Sequence, residues 1–313
     1  MKKTVIHKTV RGNRKINLSG ICKLLIFAAV CRSFGGCVKD DLYNTPHPDK
    51  GAVRVTTDWT GRSSDATLPE SYVLRIGDRE QTVSGVTNAF DALFPPGKQD
   101  LLVYHQTEGI TISGTTATVN TLADGTLEPM PGYLFSGAEE PDIAEDDTVS
   151  VTVPMKQHIR ALTLTLKLKP GDEQRISGTH ATLSGIASTL DLADGSLTAV
   201  PGKTTVPVFV LGTEGSGTVG SGTRAASQPA LTATLRLMGA AAGEKQLLTL
   251  EVALTNGTVQ TVVTDLTEIL KDFATGDMEP LTPEATLELP TEAGFTASIT
   301  GWTVVDNGNI DIH

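Results

Sequence analysis

Cysteine is almost missing from this chain. Its three cysteines, Cys22, Cys31 and Cys37, all lie in the first 37 of 313 residues. The body of the chain must therefore fold without a disulfide and has no thiolate to offer a metal. Aromatic residues are scarce, at 4%, which leaves little material for stacked sugar-binding platforms. Basic residues are thinly spread: eight of the 25 Lys and Arg fall in positions 1–36, which leaves 17 against 36 acidic residues and a net charge of −19 for residues 37–313. That balance argues against nucleic acid or an anionic membrane surface as partner, because both call for a basic face. Signatures of catalysis are missing too. No GxSxG elbow occurs, and His47, His105, His158, His180 and His313 show no pair at zinc-site spacing. Each reads as a surface or loop histidine. Gly215, Gly217 and Gly220 satisfy GxGxxG, but "SGTRAASQPALTATLRL" follows, a loop entering a strand where a phosphate cradle needs a helix. The expectation is a protein that is not an enzyme and holds no cofactor or metal.

What is present begins at the N-terminus. Lys2, Lys3, Lys8, Arg11, Arg14, Lys15, Lys23 and Arg32 appear before any acidic residue, and "LLIFAAVC" (24–31) is an apolar run too short to span a bilayer. Gly35 and Gly36 then precede Cys37. This resembles a bacterial lipobox, with Phe34 where leucine is usual, and it makes residues 1–36 a lipoprotein signal peptide and Cys37 the candidate for lipid attachment. A signal peptide of another kind, or a weak anchor helix with an incidental cysteine, is the other reading. Lys39, Asp40 and Asp41 follow directly, in "CVKDD". A lysine and two acidic residues there are similar to the signal that exports surface lipoproteins of the Bacteroidota; the plainer reading is a solvated tether over residues 37–50. The expected location is the outer surface of the outer membrane.

Beyond the tether the pattern is that of strands. In "AVRVTTDW", Val53, Val55, Thr57 and Trp59 alternate with Arg54, Thr56 and Asp58, and in "RALTLTLKLK" Leu162, Leu164, Leu166 and Leu168 alternate with Thr163, Thr165 and Lys167. "DLLVYH", "ITISGTTATV", "TVSVTV", "VPVFVL", "LTATLRLM", "QLLTLEVAL", "TVQTVVT", "ATLEL" and "FTASITGWTVV" read alike, rich in Thr, Val and Leu and punctuated by Gly or Pro. Helix is confined to "TDLTEILKDF", where Asp265 precedes Glu268 by three, and to a short turn in "VTNAFDALF". The fold expected is all-β, built of antiparallel sandwiches.

The stretch "SGAEEPDIAEDD" (136–147) carries six acidic residues and reads as a linker or exposed loop, which divides the body into domains at 51–147 and 148–313. "LADGTLEPMPG" (122–132) echoes "LADGSLTAVPG" (192–202), and "GTEGSGTVGSGT" (212–223) reads as a flexible loop. Glu139, Glu140, Asp142, Glu145, Asp146 and Asp147 lack the ordered spacing of a calcium loop. Trp59 and Trp302 sit in strand-like stretches near the two ends, and core packing is the expectation for both.

The phrases "CVKDDLYNTPHPDKGAVRVTTDW", "PESYVLRIGD", "LFPPGKQDLLVYHQTEGI", "HIRALTLTLKL" and "FTASITGWTVV" together resemble the fimbrillin-like lipoproteins of Bacteroidota, most closely the FimB-type fimbrial anchor subunits. The resemblance implies two tandem transthyretin-like β-sandwiches, structural work at the base of a fimbrium, other fimbrial subunits as partners, and assembly by strand pairing along sheet edges. It also implies that stalk subunits lose an N-terminal strand to an arginine-specific protease whereas an anchor keeps it. Arg54 and Arg62 lie near the first strand, so anchor and stalk both stay open. At the other end, Asn309, Ile310, Asp311, Ile312 and His313 alternate after an Asn-Gly turn and form a candidate assembly strand, an ordinary edge strand being the plainer reading. A surface glycan-binding lipoprotein is the alternative class, and exposure of Trp59 and Trp302 on a common groove would favour it.

Overall fold

Alternation of apolar and polar residues becomes sheet almost throughout the computed structural model, which describes residues 49–198, 200, 202–214, 228–291 and 296–305. The first strands are β1 (Ala52–Asp58), β2 (Tyr72–Ile76), β3 (Arg79–Val83), β4 (Thr87–Ala89), β5 (Gly97–Lys98) and β6 (Leu101–Tyr104). They are followed by β7 (Ile110–Ser113), β8 (Thr116–Val119), β9 (Phe135–Glu139), β10 (Asp142–Ile143), β11 (Thr148–Pro154) and β12 (Lys156–Gln157). A three-stranded sheet β11-β1-β4 and a short β10-β5 pair accompany a five-stranded sheet β12-β9-β6-β2-β3. Val53, Val55 and Thr57 of β1 and Leu74, Leu101, Val103 and Phe135 of the larger sheet turn into one core.

The second half contributes β13 (Arg160–Lys167), β14 (Ile176–Ser184), β15 (Thr189–Asp191), β16 (Leu197–Thr198), β17 (Thr204–Thr205) and β18 (Val210–Glu214). After these come β19 (Gln228–Leu237), β20 (Leu247–Leu254), β21 (Val259–Asp265), the one-turn helix α1 (Thr267–Leu270), β22 (Pro283–Glu288) and β23 (Ser298–Val304). They make a sheet β18-β19-β13-β22-β23 and a sheet β17-β14-β20-β21. Leu162, Leu164, Leu166 and Leu168 are fully buried, as their alternation requires. Each such leucine withdrawn from water is worth about 1.5–3 kcal/mol.

A sixth sheet, β16-β15-β8-β7, joins the halves: Thr189, Leu190 and Asp191 of β15 pair with Thr118, Ala117 and Thr116 of β8. Nearby, the two echoing turns come together. Leu127 donates to the carbonyl of Thr204 at 2.8 Å, and the Lys203 ammonium donates to the carbonyl of Gly125 at 3.0 Å. Residues 49–313 accordingly group as one compact unit with one continuous core.

Four sequence expectations need correcting. Residues 136–147 are not a linker: β9 lies inside the five-stranded sheet and β10 pairs with β5, because Phe135, Ser136 and Ile143 point inward while the acidic groups point outward. Thr148 opens no separate sheet, since β11 lies parallel to β1 from Ala52↔Thr148 to Asp58↔Pro154. "VTNAFDALF" forms no helix: Thr87–Ala89 pairs with β1, and Phe90 and Phe94 pack edge to face at 5.0 Å in the turn beyond. In "VPVFVL" the strand begins only at Val210, with Val208 exposed.

Candidate assembly interface

β1 is the strand nearest the proposed tether, and its surroundings are closed. The Ala52 N–H donates to the Asp147 carbonyl at 2.8 Å and the Met155 N–H to the Asp58 carbonyl at 2.8 Å. Between these ends Ala52, Arg54, Thr56 and Asp58 face β11, while the other side faces β4, through Phe90 N–H to the Val53 carbonyl at 3.0 Å and Thr57 N–H to the Val86 carbonyl at 2.9 Å. β1 is thus hydrogen-bonded along both edges. Just ahead of it, Gly51 and Phe94 exchange two bonds of 2.9 Å, and Asp146 N–H donates to the Lys50 carbonyl at 3.2 Å. A Cβ on Gly51 would stand 2.2 Å from the Ala144 carbonyl oxygen and 2.5 Å from Ile143 Cγ2, so only glycine passes this collar.

The loop leaving β1 is latched. The Ser63 N–H donates at 2.8 Å to Gln157 Oε1, and Gln157 Nε2 donates to Ser63 Oγ at 2.9 Å and to the Ile159 carbonyl at 2.8 Å. Gln157 is 1% exposed, so these bonds satisfy an amide that burial would otherwise penalise. Ser64 donates from its N–H and hydroxyl to the Glu279 carboxylate at 2.7 and 2.5 Å. Asp65 accepts from the Tyr133 hydroxyl, and the Arg236 guanidinium stacks 4.3 Å from the Tyr133 ring centre. Burial first, then the Asp65 carboxylate, push the Tyr133 phenol up to about 12. Residues from both halves therefore hold one loop, and Arg62 within it spends a guanidinium N–H on the Ala66 carbonyl at 2.8 Å. Nothing local in the sequence links Ser63 to Gln157, which lie 94 positions apart.

Both tryptophans are partly buried against the core. Trp59 meets Tyr72 and Phe135 edge to face at 5.8 and 5.5 Å, and its indole N–H donates to Thr57 Oγ1 at 2.8 Å. Trp302, on β23, donates to Thr264 Oγ1 at 2.9 Å and so ties β23 to β21 of the facing sheet. Neither is a free platform. His105 and His158 are not surface groups as the sequence suggests: each is buried, His105 beside Phe135 and His158 with Nε2 at 2.7 Å from Ser136 Oγ. Burial, helped by the Lys156 ammonium, pushes the His158 imidazole down to about 3. Ser136 and His158 line a cleft of about 620 Å³ with Asp58, Lys156, Asp194 and Met278. Among the described residues no cluster of His, Cys, Asp and Glu could hold a metal, and Glu140 of the acidic stretch pairs with Lys98 at 2.6 Å.

The outer strands carry exposed apolar side chains. β18 and β23 flank the sheet that carries β13, and β21 flanks the other; Val208, Val210, Val259, Val263 and Val304 are exposed on or beside them. Cys37, Lys39, Asp40, Asp41, Asn309, Ile310, Asp311, Ile312, His313 and the glycines of the GxGxxG stretch lie outside the described residues.

Residues 42–308 match the profile of the fimbrillin-A associated anchor proteins Mfa1 and Mfa2. The chain belongs to this anchor-protein family. It resembles the fimbrial anchor protein Mfa2 of Porphyromonas gingivalis with a TM-score of 0.55 at 10% identity, over 82% of this chain and 97% of that one. A putative adhesin of Bacteroides thetaiotaomicron gives a TM-score of 0.56 at 14% identity, over 83% and 99%, and one from Bacteroides ovatus gives 0.53 at 16%, over 82% and 94%. At such identities the likeness establishes a shared β-sandwich fold. No curated protein sequence matches the chain. Family membership makes it a structural, fimbria-associated surface protein, in keeping with the FimB-type resemblance of its sequence.

Proposed function

We propose that this protein is the lipid-anchored subunit at the base of a fimbrium. Residues 1–36 act as its signal peptide, Cys37 carries the lipid, and Lys39, Asp40 and Asp41 send it to the outer face of the outer membrane. Two tandem transthyretin-like sandwiches follow, divided in this reading near residue 158. The observation that carries the anchor reading over the stalk reading is the state of β1. It is bonded on both edges and its loop is latched through Ser63, Ser64 and Asp65, the arrangement of a strand that is kept. Partners are other fimbrial subunits, met through strand pairing at a free edge, with Asn309–His313 or the edge they cover as the contact. The glycan-binding alternative loses support, since Trp59 and Trp302 pack partly buried against the core and spend their N–H groups on threonine hydroxyls of the fold.

Two changes test this in cells that make fimbriae. Cys37→Ala leaves an unprocessed or soluble protein that no longer holds fimbriae on the cell. Deleting residues 309–313 leaves a folded, surface-exposed lipoprotein whose fimbriae are shed. Fimbriae that stay attached when Cys37 is replaced would remove the anchor reading, and attachment that survives the deletion would move the subunit contact elsewhere.

A further inference from the structure

The tether side of the fold has a geometry suited to tension. β1 and β11 are parallel over their whole length, in register from Ala52↔Thr148 to Asp58↔Pro154. The chain arrives at the Ala52 end of β1 and continues toward the second half from the Pro154 end of β11. A pull on the N-terminal tether against the rest of the body therefore acts at opposite ends of one ladder, along the strands. In that direction the inter-strand bonds are loaded together and must fail together. A pull at adjacent ends would break them one at a time. The collar at Lys50, Gly51 and Ala52 adds bonds to Asp146, Phe94 and Asp147 at the point where tension enters, and Val53 and Val55, both fully buried, would have to leave the core for β1 to slide.

We infer that the parallel β1–β11 ladder with its collar is a load-bearing clamp that keeps the body folded when a filament pulls against the N-terminal tether. This deepens the anchor reading and rests on it for its biological sense, but the clamp is a property of the fold and can be measured apart from any fimbria.

Single-molecule pulling on the full chain, with the three native cysteines replaced by alanine, tests it. Handles on Lys50→Cys and Lys156→Cys load the ladder along the strands; handles on Lys50→Cys and Asp147→Cys load it at adjacent ends. These positions are exposed. Forced unfolding follows the height of the unfolding barrier, so the first geometry should rupture at a force at least about twofold higher than the second. The bonds at the two ends fix the phase of β11: residues 149, 151 and 153 point their N–H groups at β1, and Thr152 points to the free edge. Val151→Pro should lower the rupture force in the first geometry, and Thr152→Pro should leave it near that of the parent. Equal forces in the two geometries of the unsubstituted ladder would overturn the clamp, whatever the proline variants do. That result would leave the anchor reading to be decided by the retention of fimbriae on cells.

Discussion

His158 shows what one buried group costs and does. Its imidazole accepts burial only in the neutral form, and its proton affinity falls from an ordinary 6.5 to about 3. Between those values the unfolded chain binds a proton that the folded chain refuses, so stability rises with pH there and is lost as pH falls from 6.5 toward 3. The loss between pH 7 and pH 5 should be about 2 kcal/mol from this residue. His105 is shifted the same way by burial and adds to it. Asp58, Asp124, Asp194 and Asp265 titrate below their ordinary 3.8, each held down by hydrogen bonds from the residue two positions on, so their window opens near 3.8 and lies below the interval from pH 7 to pH 5. Urea unfolding at pH 7 and pH 5 should give a clear drop in midpoint for the parent and a smaller one for His158→Gln; an identical drop in both would show that His158 does not govern the slope. None of this was visible in the sequence, where an isolated histidine with no partner at short spacing reads as a surface group. The side-chain partner of the buried His158 is Ser136, 22 positions away on β9.

At the scale of elements, the loop after β1 decides whether Arg62 can be cut. A protease needs the chain in an extended, detached form, and Ser63, Ser64 and Asp65 are held by Gln157, Glu279 and Tyr133. An arginine-specific protease should leave the native protein intact at Arg62, whereas Gln157→Ala, which leaves the buried Ser63 N–H without its acceptor at a cost of about 1–3 kcal/mol, should open the site. Mass spectrometry of the digest reads this directly. Rapid cleavage of the native protein after Arg62 would show that the latch does not hold. Strands themselves were legible: Val53, Val55 and Thr57, or Leu162, Leu164 and Leu166 of β13, reveal both their period and their buried face. Their partners were not, because a period of two says nothing about which strand lies alongside. The acidic run at 136–147 misled for a related reason: composition weighs all residues of a stretch equally, while a few buried ones, Ser136, Gly137, Pro141 and Ile143, hold it in place. "VTNAFDALF" has an apolar spacing that fits one helical turn, but pairing with β1 across Arg54↔Ala89 outweighs that local preference.

On the scale of the whole molecule, the sheet β16-β15-β8-β7 joins strands from the two halves, which predicts that they unfold as one body. Leu190 on β15 and Ala117 on β8 face each other across it, 1% and 0% exposed, so neither half can lose this sheet without uncovering the other. Tandem sandwiches joined only by a loop would unfold separately, which would suit a flexible chain of beads but not the anchor proposed above. The chain supplies its own probes of the difference, since Trp59 lies beside β2 and β9 of the first half and Trp302 lies on β23 of the second. In the single-tryptophan variants Trp59→Phe and Trp302→Phe, fluorescence should follow one half each. The two denaturation curves, each compared with circular dichroism of the same variant, should coincide with that global signal, as cooperative unfolding requires. Leu190→Ala, a cavity at the shared sheet worth about 2–5 kcal/mol, should then lower both tryptophan midpoints together. If only the second-half probe moves, or if either tryptophan curve separates from circular dichroism, the shared sheet does not couple the halves and the body behaves as two domains.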